Sequence, residues 1–143
     1  TSGAYGTTIR DVWDATALDV DFDNDTFKEA LYTDSITQNF DTDVSYSATN
    51  EVSGTNYTAG GAAMTGESWT IASGVATFDV STDTSWASAT ISASIEGRII
   101  YDDTLAGNNL IVATDFGATY GVTAGTLTVQ NNASGIMTLD YTP

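Results

Sequence analysis

The sequence contains no cysteine and no histidine. The first absence excludes disulfides, thiolate metal sites and thiol nucleophiles. The second removes the commonest general base and the commonest zinc ligand. Catalysis of the Ser-His-Asp or Cys-His type is therefore excluded, and a Ser-Lys pair would have to use Lys28, which stands beside Glu29. Basic side chains are almost missing: Arg10, Lys28 and Arg98 stand against 19 acids. Most carboxylates thus have no ion-pair partner and must face water. A net charge of −16 repels nucleic acid and anionic membranes, and the basic stripes of nucleic-acid readers are lacking. No run of apolar residues is long enough for a transmembrane helix. The opening residues TSGAYGTT carry neither a basic start nor an apolar signal-peptide core. Gly60–Gly61 has no lysine with which to form a phosphate loop.

What is present points to strands. A chain of 143 residues suits one domain, and a domain near this size buries roughly two-thirds of its unfolded surface. An apolar content of 41% sets it apart from a disordered acidic tail. Thr, Ala, Ser and Gly dominate, supported by Val, Ile and Tyr. Apart from the alanines this is strand-and-turn composition. A short helix over Thr8–Leu18 would set Ile9, Val12, Trp13 and Thr16 or Ala17 on one face. Thr26–Thr33 reads as a strand whose face carries Phe27 and Leu31 with Glu29 between them. That Glu29 is expected at an edge or rim near Lys28 or Arg98, or at a subunit contact. Residues 41–61 read as a long polar loop with one short irregular strand, and loops this long are usually functional or interfacial.

Glu67–Ala72 and Val75–Ser81 form a hairpin across Ser73–Gly74, with Ala76, Phe78 and Val80 inward. Trp86 anchors a turn. Ala89–Asp103 is the longest strand, with Ile91, Ala93 and Ile95 on one face and a bulge at Gly97. Further strands follow at Asn109–Gly117 and Gly125–Asn132, and a closing one around Ile136 and Leu139 follows a hairpin turn at residues 131–135. About seven or eight short strands, little helix and no visible internal repeat define an all-β, single-domain antiparallel β-sandwich or barrel. Residues 1–22 form an N-terminal arm or short helix, and residues 23–143 the sandwich.

The run DVDFDND places Asp19, Asp21, Asp23 and Asp25 at alternating positions. Counted as an EF-hand loop from Asp19, the turn glycine becomes Asn24 and the closing glutamate Ala30. Counted from Asp21 they become Thr26 and Tyr32. Both registers fail, so the run reads as a solvated acidic turn feeding a strand, and neither metal nor cofactor is expected. Asp14, Asp102, Asp103 and Asp115 could supply a glycosidase pair. Aspartates are nevertheless ordinary turn residues, and Asp102–Asp103 falls where a strand ends. Trp13, Trp69 and Trp86 could line a sugar platform, although packing is the commoner use of large aromatics.

Several segments are similar to a family of small structural proteins from the virions of tailed bacteriophages: DNDTFKEALYTD, TNEVSGTNYTAGGAAM, DTSWASATISA, IIYDDTLAGNNLIVATDFG and AGTLTVQNNASGIMTL. The likeness spans roughly Thr26–Leu139, and its most specific part is the loop from Asn50 to Gly61. The segment before Asp23 matches only loosely. The resemblance implies a non-enzymatic component of the particle, most naturally a decoration or cement protein on the outer head surface. Its implied partners are the major capsid protein and further copies of itself, with a trimer as one arrangement. Contacts are expected through this loop, at Asn50, Glu51, Tyr57, Gly60 and Gly61, and through the N-terminal arm. Two alternatives stay open: a tail or fibre component binding a host-surface glycan, and a non-viral carbohydrate-binding module.

Overall fold

The structure, a computed structural model, describes residues 2–14 and 18–140, without the side chain of Ala93. In chain order its elements are β1 (Gly3–Ala4), α1 (Gly6–Trp13), β2 (Phe27–Tyr32), β3 (Gly54–Thr55), β4 (Ala62–Ala63), β5 (Thr65–Ala72), β6 (Val75–Thr82), β7 (Thr84–Asp102), β8 (Leu110–Val129) and β9 (Met137–Asp140). All pairings are antiparallel. One six-stranded sheet runs β1-β8-β7-β2-β4, with β3 added to β7, and a three-stranded sheet runs β5-β6-β9.

Alternation along β2 explains the layering. Phe27, Glu29 and Leu31 point to one face of the main sheet, and Ala30 and Tyr32 to the other. On the first face Phe27 joins Ile100, Val112, Met64 and the Phe78 and Val80 side chains of the small sheet. Further along this face Leu31 joins Trp86, Ala89, Ile91, Ile95 and Val129, capped by Val52 and Tyr57. On the opposite face Ala30, Tyr32, Ile99 and Tyr101 pack with Tyr5 and Leu110 under Ile36, Phe40 and Tyr46 of the segment between β2 and β3. Each fully buried large apolar side chain contributes about 1.5–3 kcal/mol of transfer free energy.

The hairpin of β5 and β6 lies where the alternation puts it. Ser73 and Gly74 both take positive φ, 51° and 81°, the conformation a two-residue hairpin turn requires. Ala76, Phe78 and Val80 are buried as expected. Three expectations are corrected. The strands anticipated at Asn109–Gly117 and Gly125–Asn132 are one strand, β8, because Gly117 (φ 70°) and Ala124 (φ 48°) make irregularities inside a continuous ladder with β7. Trp86 sits within β7 rather than in a turn. Residues 131–135 do not close a hairpin: β9 crosses to the small sheet and pairs with β6, Met137 opposite Phe78.

The helix begins and ends earlier than expected, at Gly6–Trp13 rather than Thr8–Leu18, and Thr16 and Ala17 lie outside the described residues. Its buried residues are Thr7 and Thr8, not its apolar ones. The Thr8 hydroxyl donates to the Leu110 carbonyl at 2.5 Å and Thr7 to the Asp43 carbonyl at 2.7 Å. The N-terminal segment is built into the fold. Gly3 and Ala4 pair with Ala113 and Val112, and Tyr5 is fully buried.

Candidate functional site

The loop from Asn50 to Gly61 is held by a carboxylate hub. Glu51 accepts hydrogen bonds from the Tyr46 hydroxyl (2.5 Å), the Tyr57 hydroxyl (2.6 Å) and the Gly60 amide (2.9 Å). The Tyr57 oxygen also accepts from the Leu31 amide at 2.9 Å, tying the loop to β2. The Tyr101 hydroxyl donates to the Gly60 carbonyl at 2.8 Å, and Tyr46 stacks on Tyr101 with centroids 4.6 Å apart. Burial, joined by the Glu51 charge, raises the pKa of both Tyr46 and Tyr57 above the ordinary phenolic value, and Tyr101 is pushed up to about 12. All three remain neutral donors at any physiological pH. Gly61 takes φ 71°, and a Cβ there would meet the Glu29 carbonyl oxygen at 1.8 Å. The glycine is required by backbone approach, not by exposure.

The five residues expected at an interface therefore divide. Glu51, Tyr57, Gly60 and Gly61 face inward and shape the loop. Asn50, at φ 65° and donating through Nδ2 to the Ser35 carbonyl, is exposed. The outward side of the loop is carried by Ser53, Thr55, Asn56 and Thr58, all exposed. Asn56 donates to the Ser88 carbonyl at 2.9 Å, and β3 pairs with Thr90 and Ile91 of β7. Ile91 in turn faces Val122 of β8. These contacts bring three short stretches side by side: residues 53–58, 84–91 and 122–129. All 19 acids lie outside these stretches. A chain of charge −16 thus carries one acid-free patch of exposed Ser, Thr, Ala, Gly and Asn, bordered by Glu96, which accepts from Thr119, and Asp83, which accepts from the Asn131 amide. Sequence reading had every letter of this face, but its assembly needed the β3–β7–β8 pairing.

The carboxylates elsewhere serve the fold. Asp21 accepts from the Asp23 amide and from Asn24 Nδ2, at 3.1 and 2.8 Å, and Asp25 Oδ2 accepts from the Asp21 amide at 2.8 Å. The bonds from Asn24 and then the Asp23 amide hold the Asp21 carboxyl below its usual value. Asp23 Oδ1 accepts from the Trp69 amide at 2.7 Å. The run is a hydrogen-bonded turn, and among the described residues no group of three or more carboxylates gathers to hold a metal ion. The same bonds recur at Asn39–Asp43, where the Asn39 amide donates to Asp43 Oδ2 and the Asp41 amide to Asn39 Oδ1. DFDND and NFDTD are thus one five-residue device used twice, too short to register as a repeat. Each inserts a phenylalanine: Phe22 against Phe27, Trp69 and Phe78 on one side of the main sheet, and Phe40 against Tyr5 on the other.

Glu29 is fully buried, and the edge expected for it is corrected: β2 lies inside the sheet between β7 and β4. Its partner is one of the two cations anticipated, Arg98, at 3.0 Å. Arg98 Nη1 also donates to Asn131 Oδ1 at 2.7 Å. Burial raises the Glu29 pKa, against the opposing pull of Arg98 and the Thr84 hydroxyl. Asp102 is likewise buried. Its Oδ1 accepts from the Thr104 and Leu105 amides, while Oδ2 finds no donor. Desolvation, together with the neighbouring Asp25 carboxyl, pushes its pKa up to about 6. The three tryptophans do not form one platform. Trp86 is buried against Tyr57, Trp69 stacks on Phe22, and Trp13 is 75% exposed on α1. No family model, no curated protein and no solved structure matches this chain.

Proposed function

We propose that this protein is a structural component of a bacteriophage particle, a decoration protein on the outer head surface that binds the major capsid protein and further copies of itself. It acts by fitting surfaces together and transforms no molecule. The observation that carries the reading is the uncharged face built from β3, β7 and β8, which contains the loop most similar to the phage family. Neighbours approaching a chain of charge −16 meet repulsion on most sides, screened only beyond roughly 8–10 Å. The neutral face lets a subunit dock without bringing like charges together. Its Ser, Thr and Asn side chains suit a wet, hydrogen-bonded interface. The acidic remainder is compatible with a position outside a DNA-filled shell.

Mass spectrometry of purified particles tests this directly. Hundreds of copies per particle are expected; a handful would move the protein to the tail or a fibre, and none would end the virion reading. Ser85→Glu and Thr126→Glu, both at exposed positions of the neutral face, should lower particle occupancy while leaving the melting temperature nearly unchanged. Unchanged occupancy would remove this face from the contact.

A further inference from the structure

A second surface differs in kind from the neutral face. Between α1, the 18–23 segment and the small sheet lies a groove of about 470 Å³, within the range of roughly 300–1,000 Å³ typical of binding pockets. Its walls are Ile9, Val12 and Trp13 from the helix and Trp69, Met137 and Leu139 from the sheet. Four of the seven large apolar side chains left exposed on the described surface stand here: Ile9, Val12, Trp13 and Leu139. The apolar face of α1, which a sequence reading assigns to packing, is turned into this groove because Thr7 and Thr8 anchor the helix instead. An apolar concentration of this kind marks a contact site.

The rim decides what it contacts. Asp19, Asp21 and Asp23 line the same groove. All three basic side chains of the protein are engaged elsewhere: Arg10 with Asp11, Lys28 with Asp103, Arg98 with Glu29. No basic side chain of this chain is left to neutralise the rim, and a second copy would bring more carboxylates to it. We propose that the groove docks a segment of a different protein that carries apolar anchors flanked by Lys or Arg. The aliphatic walls take the anchors, the rim selects the cations, and Trp13 is the central contact. A sugar fits less well: Ile9, Val12, Met137 and Leu139 offer its hydroxyls no partner, and Asp21 and Asp23 already accept bonds from Asn24, the Asp23 amide and the Trp69 amide. This inference does not depend on the virion reading.

The test uses the full chain and two synthetic dodecapeptides, one alternating Leu and Lys, the other Ser and Lys. Tryptophan fluorescence should report the Leu/Lys peptide binding at least tenfold more tightly than the Ser/Lys peptide of equal charge. Trp13→Ala and Leu139→Ser, at exposed positions, should each weaken binding by about tenfold, as expected for a central anchor. Asp19→Asn should reduce the salt dependence. Equal binding of the two peptides, or binding indifferent to Trp13→Ala, would overturn the proposal by showing mere charge attraction. Sedimentation revealing self-association that Trp13→Ala abolishes would assign the groove to a second copy instead. Glycan-array binding lost in Trp13→Ala, without peptide binding, would assign it to a sugar.

Discussion

Glu29 and Arg98 lie between two apolar clusters, and the raised pKa of Glu29 shows that desolvation outweighs pairing there. Such a pair adds little net stability, yet breaking it leaves an uncompensated buried charge. Glu29→Ala should therefore cost about 3–5 kcal/mol in denaturant unfolding, and the double replacement by apolar residues of matched volume much less. Asp102 gives a pH signature. Its pKa is raised in the folded state to about 6, so the native protein binds more protons than the unfolded chain between about pH 4 and 6. The contribution is fully present below that window and lost as pH rises through it. Thermal melts should show higher stability at pH 5.5 than at pH 7.5. Asp102→Asn, which keeps an acceptor for the Thr104 and Leu105 amides, should flatten the difference; an unaltered slope would remove Asp102 as its source. Neither residue's role was legible beforehand. Glu29 could be paired with a cation by inspection, but its burial depends on Thr84, Arg98 and Asn131 gathering around β2 from distant parts of the chain.

At the scale of elements, the two Asp/Asn-Phe-Asp-x-Asp turns are the distinctive devices. Each spends its polar side chains on its own backbone and its phenylalanine on the core. Phe22→Ala and Phe40→Ala should each destabilise the protein, by somewhat less than the roughly 3–5 kcal/mol of a fully buried phenylalanine, because both rings are only partly covered. Gly61→Ala should be worse than either in soluble yield, since its Cβ would overlap the Glu29 carbonyl. What the sequence made readable here was local. The β5–β6 hairpin has both its alternation and its Ser73–Gly74 turn within eighteen residues, Thr65–Thr82. β8 was misread because Gly117 and Gly125 look like strand ends, whereas bulges accommodate them inside a ladder that β7 dictates. The Glu51 hub was unreadable for a related reason: its donors come from Tyr46, Tyr57 and Gly60, and nothing in their spacing announces a shared acceptor.

For the whole molecule, charge and shape are segregated. One face is neutral and polar, one groove is apolar with an acidic rim, and the remaining surface carries most of a net −16. Self-repulsion of that size opposes compactness. The melting temperature should therefore rise as sodium chloride is raised from about 10 mM to several hundred millimolar, where screening shortens to a few ångströms. A flat response would mean that the carboxylates are spaced widely enough to ignore one another.

The pairing of β1 with β8 has a consequence for biosynthesis. Gly3 and Ala4 cannot find Val112 and Ala113 until those residues have left the ribosome, which at ordinary elongation speeds takes roughly five to twenty seconds. Through that interval Tyr5, which packs on Leu110 and Ala113, waits without the strand that covers it. Asp11, Asp14, Asp19, Asp21, Asp23 and Asp25 give that waiting segment a like charge, which opposes its association with a neighbouring nascent chain until the late-emerging ribbon arrives.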